Sequence, residues 1–474
     1  MSSSFWSYIW ALFSKVSTQV IQFIFILVLS RYLSPADFGT VSILFVFISV
    51  ANILIDSGLS AGLILEKKIS EKDTSTLFTF NLVMSFTLYL AIFVCAPLIE
   101  DFYQISDLTR ITRYMALPIV FQALYIVPKT ILVKDLRFDL LFWIQLLSSF
   151  ISTIAALYAA IVLDLKVDAL LIYYNLGAIV SLIGFWIVTK YIPKIDFYKH
   201  SFLKLFSFGA LNTLSSVVDT IYENILSLLI GKYLNISQAG YYSNAKKIEE
   251  VPSRSITELI SGVTFPILSK IKDNHSVFIV YSAKIQRMLY SLIFPVMVTI
   301  AIFSSEIIIL VFGKEWAQAD FYLAILSIAG IAIIIENTSR SFIKSMGRAD
   351  IMFRISLIKR SIGILLILMV LPFNSSYLVY AYTVASFLSV FINIKELSKL
   401  LPDYSVHNQI FALVRITIPV VIYGLLITII HSIIDVIIWQ IILSFILFII
   451  YFLVLPFFGI DDYIIKIREF LKNN

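Results

Sequence analysis

Ionisable and amide side chains recur inside otherwise apolar stretches of this chain, at the spacing of helix faces. Near the start, Lys15, Gln19 and Gln22 fall on one side of a helix, and Ser14 and Thr18 widen that polar stripe. A cation there can hold an anion in a wet cavity, or it can extend its stem and return the charge to the membrane surface. The stripe of polar neighbours favours the cavity. Farther on, Asn212, Asp219 and Glu223 recur at roughly helical spacing, with the two carboxylates four apart and stacked on one face. Two carboxylates this close in a low dielectric share a proton or bind a cation, which suits coupling to H+ or Na+. A structural ion pair with Lys15 or Arg254 would use the same residues. Lys246, Lys247, Glu249, Glu250, Arg254 and Glu258 crowd one stretch around Pro252, where several are expected to pair with one another. Gln122, Lys129, Glu336, Asn337 and Arg340 complete the set. Lys129 and Arg340 fit equally as phosphate ligands and as plain anchors near the cytoplasmic surface.

Covalent chemistry finds no support in the residue types. His200, His275, His407 and His431 lie far apart at segment ends, Cys95 is the only cysteine, and no G-x-x-x-x-G-K-[ST] phosphate loop occurs. The chain is therefore read as having no catalytic residues, no metal site and no cofactor, and as not being an enzyme.

The elements that must position these residues are membrane helices. Hydrophobic residues make up 60% of the 474 and charged residues 14%, against roughly 45–50% and about 25% in soluble domains; mean hydropathy is +0.95. Windows of the length needed to cross about 30 Å of hydrocarbon fall near 8–30, 39–64, 76–98, 112–133, 140–163, 168–189, 207–230, 240–268, 280–304, 319–343, 355–372, 377–395, 411–431 and 435–457, which makes 14. The first lacks a basic flank and a small-residue cleavage site, so it is expected to be a retained helix. With the N-terminus cytoplasmic, alternate connections and the tail hold 20 Lys and Arg, and the opposite set holds only Arg31, Arg110, Arg113, Lys166, Lys232 and Lys314. The net charge of +6 thus reads as topology, with both termini cytoplasmic and no nucleic-acid partner. The connections are too short for a soluble catalytic domain. The tail 461–471 has apolar residues at helical spacing and is expected to lie along the membrane surface.

An internal repeat organises the helices. Ser30-Arg31-Tyr32-Leu33-Ser34-Pro35-Ala36-Asp37-Phe38-Gly39 returns 201 residues later as Gly231-Lys232-Tyr233-Leu234-Asn235-Ile236-Ser237-Gln238-Ala239-Gly240. Lys129, Arg137 and Asp139 are matched 211 residues on by Arg340, Arg348 and Asp350. An even number of crossings separates the copies, so the halves run parallel and enclose a central cleft, the plan of a transporter. The expected fold is all-α: a six-helix bundle over 1–200, its repeat over 201–400, and two peripheral helices with the tail over 401–474. The ionisable residues within the helices are expected to face the cleft.

Five stretches resemble a known family: Arg31 to Gly39, Asp56-Ser57-Gly58-Leu59-Ser60-Ala61-Gly62-Leu63-Ile64, Gly240-Tyr241-Tyr242-Ser243-Asn244-Ala245, Phe265-Pro266-Ile267-Leu268-Ser269-Lys270 and Phe312-Gly313-Lys314-Glu315-Trp316. In this order they are similar to the Wzx-type polysaccharide flippases of the multidrug/oligosaccharidyl-lipid/polysaccharide exporter superfamily, nearest to the colanic-acid exporter branch. The resemblance implies translocation of undecaprenyl-diphosphate-linked oligosaccharide units to the outer leaflet of a bacterial cytoplasmic membrane by alternating access. It also implies a cationic cleft, filled here by Lys15, Gln19, Gln22, Lys246, Lys247, Arg254, Lys129 and Arg340, with polysaccharide polymerase machinery as a partner. The resemblance assigns no role to Asp219 and Glu223. A drug/cation antiporter of the same superfamily is the alternative; a membrane polymerase or ligase would need a sizeable outward loop that the chain does not have.

Overall fold

A computed structural model describes residues 20–66, 69–259, 264, 268–269, 271–373, 376–401, 404–434 and 436–458. The described secondary structure is entirely helical. Contacts divide the chain into two compact units: one holds the chain up to Ser243 together with Val311–Glu315, and the other holds Asn244–Leu310 and the chain from Trp316 onward. Eleven of the described helices or helix pairs are long and apolar enough to cross a membrane. The windows near 240–268 and 355–372 contain helices of comparable length that carry more charge, and the first window is described only from residue 20.

The first unit contains α1 (Val20–Leu29), α2 (Pro35–Asp56), α3 (Leu59–Leu65), α4 (Glu71–Tyr103), α5 (Leu108–Ala116), α6 (Pro118–Lys134), α7 (Phe138–Ile161), α8 (Lys166–Thr189) and α9 (Lys199–Tyr233). Ser34 starts α2 with a capping box: its hydroxyl accepts from the Asp37 N–H, and the Asp37 carboxylate accepts from the Ser34 N–H at 2.9 Å. The span expected over 39–64 is broken, because Ser57 and Gly58 both take positive φ, 44° and 73°. Asp56 then accepts from the Ser60 N–H at 3.3 Å and restarts the chain as α3. Along α4, Val83, Phe86, Leu90, Val94 and Leu98 are all more than half exposed; an apolar stripe at three- and four-residue spacing is what a helix facing lipid presents.

The second unit contains most of α10 (Ile236–Leu259), then α11 (His275–Ile302), α12 (Ser304–Val311), α13 (Ala319–Ser345), α14 (Ala349–Val370), α15 (Ser376–Leu400), α16 (Val406–Ile433) and α17 (Ile437–Val454). Tyr290, Phe294, Met297, Ile334, Ile335 and Tyr423 lie in one of its buried apolar clusters.

Two stretches matched 211 residues apart in the sequence end their helices in the same way. α6 ends with Leu136 at φ 56°, the Arg137 N–H bonding back to Leu132 O and the Leu136 N–H to Val133 O. α13 ends with Gly347 at φ 76°, the Arg348 N–H bonding back to Ile343 O and the Gly347 N–H to Lys344 O. Both are the helix stop in which a left-handed residue satisfies the last carbonyls. Each is followed by the same two-pronged ion pair: Arg137 grips Asp139 at 3.1 and 3.0 Å, and Arg348 grips Asp350 at 3.0 and 2.9 Å. The hydrogen bonds from Arg348 hold the exposed Asp350 carboxyl down to about 2.

A second repeat pair meets inside the first unit. A Cβ added to Gly39 would lie 1.9 Å from Ile236 O, and one added to Gly240 would lie 1.9 Å from Pro35 O. Gly39 matches Gly240 and Pro35 matches Ile236 across the 201-residue offset, so the contact is self-complementary, as at a two-fold interface. Only a residue without a side chain lets backbones approach this closely. Arg31 lies against Gly313, and the Tyr241 hydroxyl donates to Glu315 O at 3.2 Å. Three of the five resembling stretches therefore meet in a structural clasp.

Candidate functional site

Lys15 and Gln19 lie outside the described residues, as do the tail 461–471 and the side chains of Asn212 and Glu258. The remaining residues singled out in the sequence fall into separate groups.

In the first unit, Gln22 of α1 hydrogen-bonds Tyr173 of α8 and lines a cavity of about 270 Å3. Lys129 of α6 is exposed, and Asp56, at the break after α2, is the charge that acts on it. Asp219 is half-buried and Glu223 exposed on α9, and both are engaged in interactions.

In the second unit, α10 carries a ladder at four-residue spacing. Glu250 is 3.8 Å from Lys246 and 2.7 Å from Arg254, the same-helix pairing expected from the spacing. Lys247 donates to Asn244 Oδ1 at 3.0 Å. Glu249 is buried, accepts from the Ser253 hydroxyl, and packs where a Cβ on Gly330 of α13 would lie 2.5 Å from its Oε1.

Arg340 belongs to a denser cluster. Glu336 Oε1 is 2.5 Å from Lys359 Nζ, 3.6 Å from Arg360 and 3.9 Å from Arg340. The side chains of Glu336 and Lys359 are 5% and 0% exposed. Asn337, next along α13, donates to Thr257 of α10 at 3.1 Å, so α10 and α13 touch close to both charged groups. A carboxylate that draws three cations into a helical interior concentrates positive potential there, and only Arg is planar enough to grip phosphate through two parallel bonds. Sequence reading missed Lys359 and Arg360. They are two adjacent charges in a window that averages as apolar, and that adjacency was the signal available.

Residues 28–321 match a family described as polysaccharide biosynthesis protein. The chain is 29% identical over 309 residues to the teichuronic acid biosynthesis protein TuaB of Bacillus subtilis, covering 64% of this chain and 63% of that one, which is less than two thirds of that relative's length. It is 25% identical over 338 residues to the lipopolysaccharide biosynthesis protein WzxC of Escherichia coli (70% and 68% covered). It is also 25% identical over 357 residues to the succinoglycan biosynthesis transport protein ExoT of Rhizobium meliloti (74% and 71%). Among solved structures, the inward closed lipid II flippase MurJ superposes with a TM-score of 0.75 at 19% identity, over 96% of this chain and 99% of that one. An inward-facing multidrug resistance MATE transporter superposes with a TM-score of 0.68 at 11% identity, over 83% and 98%. At these identities the structural likeness establishes the fold.

Proposed function

The chain belongs to the polysaccharide biosynthesis protein family, transporters of the multidrug/oligosaccharidyl-lipid/polysaccharide exporter superfamily and not enzymes, and from that premise we propose that it flips undecaprenyl-diphosphate-linked oligosaccharide units to the outer leaflet of a bacterial cytoplasmic membrane. The observation that carries this reading is the agreement between relatives named for surface-polysaccharide biosynthesis and a fold shared with a lipid flippase over nearly the whole chain. Arg340, 21% exposed beside the Lys359 and Arg360 gathered about Glu336, supports it, because a diphosphate must meet cations to leave water. Lys15, Gln19, Gln22, Lys129, Lys246, Lys247 and Arg254 complete the proposed binding set. Transport proceeds by alternating access through 14 spans arranged as two parallel six-helix repeats, 1–200 and 201–400, with two peripheral helices over 401–474 and both termini cytoplasmic. An inward H+ or Na+ gradient acting through Asp219 and Glu223 supplies the drive, and polymerase machinery takes up the flipped unit.

Deletion of the gene tests the reading. Lipid-linked units should accumulate on the inner leaflet and surface polysaccharide should disappear, both restored by the wild-type gene. Unchanged polysaccharide together with raised sensitivity to cationic drugs would overturn it in favour of the antiporter.

A further inference from the structure

We propose that the cavity inside the first unit is a receptor for one neutral sugar ring, a recognition subsite separate from the cations that meet the diphosphate. The inference rests on the cargo being a saccharide. The cavity, about 270 Å3, is lined by residues of α1, α2, α5, α6, α7 and α8, just below the roughly 300–1,000 Å3 of ligand pockets. It has room for a single ring.

Its lining selects the chemistry. Asn52, Gln122, Ser149, Tyr125 and Tyr174 line the space, and their side chains make no hydrogen bond among the described residues. Amides and hydroxyls left unpartnered within a membrane protein are costly unless water or a ligand meets them. Five such groups supply both donors and acceptors, as a ring of hydroxyls requires. Other polar groups in the wall are already committed: Ser148 donates to Gly177 O at 2.6 Å, Ser181 donates to Ser148 at 2.9 Å, and Gln22 bonds Tyr173. The aromatic rings are braced from behind. Tyr173 stacks on Phe25 at 4.0 Å and Tyr125 on Phe185 at 5.1 Å, which holds flat faces ready for the C–H side of a pyranose. No Asp, Glu, Lys or Arg is among the lining residues described. Among the described residues the lining offers no counter-charge to a diphosphate, a cation or a hexuronate carboxylate.

The test uses the purified full-length protein in lipid nanodiscs and saturation-transfer NMR with three free probes: methyl α-D-glucopyranoside, N-acetylglucosamine and glucuronate. At least one neutral probe should receive saturation on its ring protons, and glucuronate should receive none. The signal should fall about fivefold or more in Asn52→Leu with Gln122→Leu, the effect of losing about one net hydrogen bond. Tyr174→Phe, which removes a single hydroxyl and keeps the ring, should weaken it in the same direction, and its thermal unfolding should match wild type. Absence of transfer to either neutral sugar, equal transfer to glucuronate, or a signal unmoved by both variants overturns the subsite. Lost surface polysaccharide in the deletion strain without sugar binding would remove the subsite alone. Sugar binding that depends on Asn52 and Gln122, in a protein whose deletion leaves polysaccharide intact, would remove the transport reading instead.

Discussion

Replacing Glu336 by Gln should damage the protein far more than replacing the lysine that contacts it most closely. Lys359 is wholly enclosed and lies 2.5 Å from the Glu336 carboxylate. That carboxylate also faces Arg360 at 3.6 Å and Arg340 at 3.9 Å. Glu336→Gln leaves a buried ammonium beside two guanidinium groups, and breaking a buried ion pair in this way costs about 3–5 kcal/mol. Lys359→Met fills similar volume and leaves Glu336 with both arginines, so the loss is that of one charged hydrogen bond, about 1.5–3 kcal/mol. The double variant should cost less than the two single changes added together, by about 1 kcal/mol or more, because both act on one contact. Unfolding of a protein this size in detergent is not two-state, so the measurement is a ranking of melting temperatures of fluorescent-protein fusions by size-exclusion chromatography. The expected order is wild type, then Lys359→Met, then Glu336→Gln, with the double variant above Glu336→Gln. A Lys359→Met protein that melts below Glu336→Gln, or strict additivity, would show that Glu336 does not hold the cluster together.

Gly39→Ala and Gly240→Ala each press a methyl to 1.9 Å from a backbone carbonyl; each should cost about 1–3 kcal/mol or more, seen as lost yield of monodisperse protein, and the second change should add little to the first. Gly347→Ala meets no atom within 4 Å but must hold φ 76°, so it should lower the melting temperature by the backbone cost alone, about 1 kcal/mol. Leu136→Gly, at the matching position with a half-exposed side chain, should raise it or leave it unchanged. Asp219→Asn with Glu223→Gln should leave cargo binding intact and abolish the dependence of transport on an ion gradient, measured in vesicles with imposed H+ and Na+ gradients; unchanged dependence would refute the coupling role.

The sequence exposed those parts of the molecule that are written locally. Apolar windows marked the helices because a lipid-facing stripe such as Val83 to Leu98 is continuous along one element. The 211-residue repeat was legible because a helix stop and an Arg-x-Asp clamp occupy only a few consecutive residues. The ladder Lys246–Glu250–Arg254 followed from four-residue spacing on a single helix. The break at Ser57–Gly58 was hidden by the apolar residues on both sides, since hydropathy does not register a change of φ. Lys359 and Arg360 were hidden for the opposite reason: their partner Glu336 is 23 positions away from Lys359 on another helix. The sugar-sized cavity was the least legible feature, because its neutral Asn, Gln, Ser and Tyr come from five helices and none is unusual where it stands.

The reciprocal seat of Gly39 on Ile236 and of Gly240 on Pro35 has an evolutionary meaning. A polypeptide carrying only one of the repeats would possess both sides of that contact, so two separate copies would dock through it as a homodimer. Joining the copies end to end makes their association independent of concentration and releases each from the need to be identical. Ser34 and Asp37 in one copy against Asn235 and Gln238 in the other show that drift at the clasp itself.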